Sequence, residues 1–583
     1  MSSPLVRAAF AVLVGATILA FFVTQQLKGE FPLVLRFAAI PSSISPNGDG
    51  TRDGTFVGFD LSRRAKVSFY VVDSEGREVR RLVDNRTLAG DTRHRYFWNG
   101  RDNDGNRVPD GRYQLRVIRR DEGRVINSIK TIRVDTKRPR VVLTSARPGV
   151  IAPGNPGQHP VVRIRYRGPR NDQPEYRIFR TDEGAPRVVA RFRGNDRHEA
   201  LWHGSIRGRP AADGDYTFTV TVRDKAGNPS VAPAEIPTRE NAKRGTGVAV
   251  RHLTLRGPAS AVRPGSLVRL EVGPYRRPFA YSLSRLGAKR AVKSDRRTGG
   301  ALRVRIPPRS RTGLYYVRVR ADGRDAVWPL AVQGAPARRP APLVVLPAIT
   351  WQGLNPVDDD LDGFANSLLN SRSIPLARPF VRGAAPRALT TETAPLLRFL
   401  DRKRLRYDLT TDVSLRAKDL NGIPGLALAG SARWLTPDSR RELRRYVEDG
   451  GRLASFGGDA LKRTVQLRGG TLLGPTAAAR ENALGERTRL TRRDAAPLTV
   501  QEDRLGIFAG AGQLGDFSLF DLSSGGRRRL TSAGPDPDQP AFVAYRLGKG
   551  IVVRSGTPQW AANLSDPGAA GATEQIWSLL RHR

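Results

Sequence analysis

Residues 426–456 read LALAGSARWLTPDSRRELRRYVEDGGRLASF. The stretch opens on a short apolar run, Leu426 to Ala429, and closes on another, Leu453 to Phe456. Between them Asp438 to Asp449 has the texture of a helix. Thr436 is placed to cap it, Pro437 sits in the first turn where its missing N–H costs nothing, and Gly450-Gly451 stops it. Strand, helix and strand in immediate succession make a βαβ unit, and such crossovers are right-handed almost without exception. Reading outward, Leu343 to Pro347 (LVVLP) is wholly apolar, as a strand covered on both faces is. Ala394 to Leu405 carries Leu396, Leu397 and Leu400 on one helical face, and a strand at Ile551 to Arg554 precedes a last helix at Thr573 to Leu580. Residues 465–545 are less regular and read as an insert. The expectation is an α/β domain over 343–583 with a doubly wound sheet, folding independently of what precedes it.

Upstream the texture changes. Gly334 to Pro342 (GAPARRPAP) reads as an extended linker, and from Leu33 to Gln333 alternating apolar and polar runs lie between Gly, Pro, Asn and Asp turns. Lys66 to Asp73 and Tyr113 to Arg119 read as half-buried strands, with a turn at Asp102 to Gly105. A repeat is visible: Trp98-Asn99-Gly100 with Asp110-Gly111-Arg112-Tyr113 returns as Trp202-His203-Gly204 with Asp213-Gly214-Asp215-Tyr216. This divides the β region into sandwiches at 33–136 and 137–240, followed by a β domain at 248–333 that has the strand Leu314 to Arg320 but no Trp-Gly signature.

The first of these units resembles the Ig-like domain of the flagellar-hook-cap (FlgD) type. The residues that carry the likeness are Ser45-Pro46-Asn47-Gly48-Asp49-Gly50 with Asp53, then Trp98 to Asp102 and Val108 to Tyr113. The likeness covers roughly 40–135 and extends weakly over the second unit.

The N-terminus differs in kind. Arg7 precedes Ala8 to Val23, an uncharged apolar run, with polar Thr24, Gln25 and Gln26 beyond it. Residues 1–30 are expected to be a signal anchor crossing the membrane through residues 5–27. The charge at Arg7 and the α-amine favours keeping the N-terminus inside, so that the rest is extracytoplasmic. Small residues for cleavage are missing between Phe21 and Gln25, although secretion after cleavage is the competing reading. The chain has no cysteine, which excludes disulfides, thiolate metal sites and cysteine nucleophiles. The formal charge of +43 does not imply nucleic acid, because only 12 of the 98 basic residues are Lys and the Arg is spread evenly instead of clustering. Such a surface favours an anionic envelope polymer or another surface protein as partner.

In an open parallel sheet, ligands bind beyond the carboxyl ends of the strands. There the sequence places Trp351, Gln352 and Asn355, then Ser431 to Trp434, then Gly457-Gly458-Asp459, then Gln559 and Trp560. Trp351, Trp434 and Trp560 fall on one predicted rim, which either caps the core beneath the loops or stacks a sugar or an amide that Gln352, Asn355, Asp459 and Gln559 orient.

The last domain resembles the class I glutamine-amidotransferase-like domain of the N,N-dimethylformamidase beta subunit and its relatives. The likeness is carried by Val344 to Pro347 with Trp351, Gln352 and Asn355, by Trp434 to Gly458, and by Gly548 to Trp560. The resemblance implies a Cys nucleophile with a His partner, or an iron held by Tyr and Glu. Neither set is present: Gly457 stands at the nucleophile turn, no His occurs from 253 to 581, and Leu354 replaces a Tyr. The expectation is a non-catalytic binding or scaffold protein with no cofactor; the alternative is a hydrolase of amide or glycosidic bonds. Asp358, Asp360 and Asp362 have the spacing of a calcium loop without its distal Glu, and Asn47, Asp49 and Asp53 form a second, weaker candidate.

Overall fold

The computed structural model describes residues 4–27, 34–38, 40–120, 122–170, 173–274, 276–334, 340–525 and 528–582. Most of the expected linker therefore lies outside the described residues. The chain begins with one helix, Pro4–Leu27, exposed along the part whose side chains are described and apolar enough over Pro4–Thr24 to cross a membrane by length and composition (mean hydropathy 2.3). At 1.5 Å per residue it reaches about 36 Å, more than the roughly 30 Å of a hydrocarbon core.

Three β-sandwiches follow. In the first, a sheet of Val34–Ala38, Thr55–Leu61 and Thr92–Trp98 packs on a second sheet built around Ala65–Val72 and Gly111–Arg119. Alternation puts Val57, Phe59 and Leu61 inside against Phe69, Val71, Leu115 and Val117. The repeated residues have one job in both units. Trp98 lies 5.4 Å from Tyr113 and Trp202 lies 5.6 Å from Tyr216, ring to ring. Each indole N–H donates to a carbonyl three residues on, Arg101 and Ser205 respectively. The tyrosines donate to Pro109 O at 2.7 Å and to Ala212 O at 3.0 Å.

The third unit, without the Trp-Gly signature, keeps that last device: Tyr315 donates to Arg311 O at 3.0 Å. Gly313 stands two residues before Tyr315, as Gly111 and Gly214 stand before theirs. The unit is a sandwich of two sheets, one of Thr254–Arg256, Leu267–Gly273 and Ala301–Arg305, the other of Lys293–Gly299, Arg277–Arg285, Gly313–Ala321 and Arg324–Val332.

The last unit is a nine-stranded mixed sheet. Its first five strands in spatial order, Asp408–Thr411, Leu343–Leu346, Leu426–Ala429, Arg452–Phe456 and Gly550–Arg554, are parallel. The other four, Phe542–Leu547, Arg529–Gly534, Thr488–Asp503 and Gln513–Ser523, continue it antiparallel. Much of the expected insert over 465–545 is thus part of the sheet itself. Apolar residues of its inner strands, Val543 and Tyr545 among them, complete the core and fix them there. Helix Pro437–Glu448 forms as expected, with Ser439 N–H donating to Thr436 Oγ1 at 3.1 Å.

The packing argues against the expected independence of this unit. One continuous apolar core joins Leu255, Phe279, Val317 and Trp328 of the third sandwich to Val344, Trp351, Leu397 and Trp560.

Candidate functional site

Chain order reverses at Leu343–Leu346, which has Asp408–Thr411 on one side and Leu426–Ala429 on the other. The crevice at such a reversal is where open α/β sheets hold their ligands. Here side chains fill it. Trp434 is fully buried and lies over Gly353, where an added Cβ would come within 3.2 Å of the indole. Ser431 N–H donates to Glu392 Oε2 at 2.7 Å, Gly458 N–H donates to Ser431 Oγ at 3.1 Å, and Arg433 N–H donates to Thr350 Oγ1 at 2.9 Å. Burial pushes the Glu392 carboxyl up.

Burial favours core capping over stacking for the rim. Trp351, Trp434 and Trp560 are buried core residues with no face open for stacking. Trp560 lies parallel to Phe517 at 6.0 Å and donates to Thr573 Oγ1 at 2.9 Å. Gln559 is a clamp, its Oε1 accepting from the N–H groups of Ser518 and Leu519 at 2.8 and 2.9 Å. Gln352 donates to Arg378 O at 3.1 Å, and Asn355 donates to Pro379 O at 3.0 Å. Both anchor the segment that follows Leu343–Leu346. Asp459, in left-handed backbone (φ 52), accepts from Arg463 at 2.6 Å. Its own N–H donates to Asp521 Oδ2 at 2.9 Å, beside the buried Arg554 that Glu486 grips with two 2.8 Å hydrogen bonds. A single sequence carries no signal for whether an indole at a strand end faces out or plugs the crevice.

Open space lies one strand away. A groove of about 680 Å³ is lined by Asp412, Arg416, Thr436, Asp438, Glu442 and Arg468. A second of about 690 Å³ adjoins it at Ala417 and Glu442 and runs on to Tyr446 and Asp449. Together they follow helix Pro437–Glu448 along its length. Asp412, at the head of the groove, accepts from Ile349 N–H with both oxygens at 3.1 and 3.3 Å. Burial pushes its carboxyl up to about 8. Asp408–Thr411 is a short, half-polar strand, which is why reading strands by apolar runs passed over the groove beyond it.

The Asp-rich loop does gather. Asp358, Asp360 and Asp362 each bring a carboxylate oxygen within 4.8 Å of the others, a set that could hold a hard divalent cation. Burial, with Asp215 and Asp362 nearby, pushes Asp358 up to about 8, and burial pushes Asp362 up to about 6. The loop is pressed on the second sandwich, where Asp360 O and Leu361 O accept from Gly245 and Gly247 N–H at 3.0 and 2.7 Å. In the other candidate set, Asn47, Asp49 and Asp53, the side chains hold partners in their own loop and across the joint. Asp53 accepts from Gly48 and Gly50 N–H at 2.7 Å, Asp49 accepts from Thr51 N–H at 2.7 Å, and Asn47 donates to Asn228 Oδ1 at 3.2 Å. Those side chains stiffen the loop and fasten it to the second sandwich.

Comparison with known proteins agrees with two of these regions. Residues 43–123 match the FlgD Ig-like domain, and residues 297–506 match the family described as N,N-dimethylformamidase beta subunit-like, C-terminal. The chain carries both domain types. The second match runs from the third sandwich into the mixed sheet, across the expected linker, as the shared core does. No curated protein matches the sequence.

Solved structures resemble it only distantly. The GH42 beta-galactosidase Gan42B of G. stearothermophilus is 16% identical over 39% of this chain and 29% of its own, with a TM-score of 0.24. The alpha-2-macroglobulin of Escherichia coli is 11% identical over 52% of this chain and 23% of its own, at 0.19. A three-domain I-band fragment of titin is 12% identical over 51% of this chain and 98% of its own, at 0.20. The chain thus spans under a third of the first two, and none of the three bears on function.

Proposed function

We propose that this is a membrane-attached extracytoplasmic protein whose three sandwiches carry an amidotransferase-like α/β head that binds and does not catalyse. The observation that supports this most is the filled crevice at the strand reversal, with Trp434 fully buried in it and Gly457 where a nucleophile would stand. Acyl transfer needs an activated nucleophile, a base within hydrogen-bond reach and an oxyanion site. Gly458 N–H, the natural oxyanion donor, is already given to Ser431. The head's open face is the groove along Pro437–Glu448, where Arg416 and Arg468 stand beside Asp438 and Glu442, a mixed lining that suits another surface protein as well as an envelope polymer engaged through the two arginines. Retention of isolated envelope polymer should fall several-fold in Arg416→Glu/Arg468→Glu, and formamide or glutamine hydrolysis should stay at background. Turnover of a small amide that disappears in Asp459→Ala would establish the hydrolase reading instead.

A second role is favoured by the carboxylate cluster: a divalent cation at Asp358, Asp360 and Asp362 would tie the head to the second sandwich through the loop they share.

A further inference from the structure

The outer face of the first sandwich carries a feature that neither its core nor its joints require. Phe56 and Phe97 are cross-strand partners, 52% and 55% exposed with the whole chain in place, and their rings lie 5.3 Å apart. Neighbouring Val57 and Phe59 point inward and are buried, so the two phenylalanines are surplus to the core. Ring against ring on an exposed face is contiguous apolar area left in water, and it is contiguity, not single exposed side chains, that marks an interaction surface.

The surroundings are cationic. The Arg95 guanidinium lies 5.1 Å from the centre of the Phe56 ring. Further along the same face Arg36 and Arg93 share one carboxylate, Asp60, each at 3.0 Å. Three guanidinium groups thus stand against a single acid. A shallow concavity of about 610 Å³ beside the rings is walled by Ile40, Pro41, Gly54 and Thr55.

Place in the chain decides the partner. The strand Val34–Ala38 is the edge of this sheet, and the apolar helix ends at Leu27. The segment between them, fully extended, reaches roughly 24 Å. Val34 pairs with Leu61, so the aromatic pair lies about 17 Å along the strand from the point where the tether enters. A face on so short a tether meets a bilayer at high effective concentration. Aromatic rings belong at the headgroup level, and arginines gain from anionic lipid.

We propose that this face, with Phe56 and Phe97 inserted and Arg36, Arg93 and Arg95 around them, rests on the anionic phospholipid surface of the membrane that holds the helix. The proposal relies on that helix being retained as an anchor.

The chain has no cysteine, so one introduced residue can report alone. Full-length Phe97→Cys carrying an environment-sensitive fluorophore is incorporated into phosphatidylglycerol-containing discs with nitroxide-labelled lipid. Ile129→Cys is the reference, 98% exposed and following a strand of the opposite sheet. Quenching at 97 should exceed that at 129 at least twofold, and fall to the reference level in Phe97→Cys/Phe56→Ser/Arg95→Ser. Equal quenching at the two positions in discs that hold the chain overturns the proposal. So does self-quenching that grows with the number of chains per disc, which would mean the face meets a second copy. A chain that does not elute with the discs overturns the anchor reading, and the proposal with it.

Discussion

The indole ring of Trp328 lies 5.0 Å from the phenyl ring of Phe380, with the third sandwich on one side of the contact and the mixed-sheet unit on the other. Around it Ala261 N–H donates to Ser414 Oγ at 2.9 Å, and Arg285 meets Asp401 at 2.8 Å.

A fragment beginning at Ala341 would open this apolar surface to water. It should be aggregation-prone or loosely packed, with weak near-ultraviolet dichroism, whereas a fragment beginning near Val248 should unfold cooperatively. A compact, cooperatively melting 341–583 would show that the shared core is dispensable.

Trp560 is expected to behave as a core residue. Trp560→Ala should cost about 3–5 kcal/mol by chemical denaturation, since it removes a buried ring and leaves Thr573 without its donor. Polymer retention per folded molecule should not change. A loss of binding at unaltered stability would restore the stacking rim.

Asp412 should make stability fall as pH rises. Its folded-state pKa is raised from 3.8 to about 8, so the folded form holds a proton that the unfolded form releases above about pH 4. Its contribution is complete below the unfolded pKa and is lost progressively between about pH 4 and 8. Asp412→Asn should flatten that decline and be the more stable protein at pH 8, by something on the order of 2–5 kcal/mol at about 1.4 kcal/mol per pKa unit. Parallel pH profiles for parent and variant, measured by urea unfolding, would remove the carboxylate from the account.

Calcium should bind weakly at the Asp-rich loop, in the range of roughly 10⁻⁴ to 10⁻³ M, because three short-range carboxylates are gathered without a bidentate glutamate. Calorimetry on the full chain should show this binding abolished in Asp360→Ala/Asp362→Ala. Micromolar affinity would mean that the second sandwich completes the shell.

Local rules made much of the fold legible. Leu426–Ala429 is a strand with the expected bounds and the run from Leu453 to Phe456 forms one that begins a residue earlier, at Arg452, because short continuous apolar runs suit strands covered on both faces. Thr436 caps its helix as its place before Pro437 requires. Long-range matters were not legible. Thr488–Asp503 is an Arg-rich, partly exposed strand whose membership in the sheet depends on partners far along the chain. Asp358 to Gly363 has the same residues whether it faces solvent or, as here, a neighbouring sandwich. Tyr315 shows the intermediate case: the i to i−4 hydrogen bond repeats through all three units, but the third lacks the Trp-Gly and Asp-Gly pairs that mark it in the other two.

The joint between the first two sandwiches has a mechanical meaning. Asn228, fully buried, accepts from Ser45 Oγ at 2.6 Å and donates to Asp135 O at 2.8 Å, while Ser43 Oγ donates to Lys225 O at 2.6 Å. A pull across the two sandwiches would load these bonds together with those from Asn47 to Asn228 and from Arg52 to Lys225 O, whereas the third sandwich and the last unit share a continuous apolar core. Hydrogen bonds of this kind can part without opening an apolar core to water, so the first two sandwiches can separate at this joint with both still folded. The loop that presents Asn47 to the joint is held within the first sandwich by Asp53, so its shape does not depend on the contact.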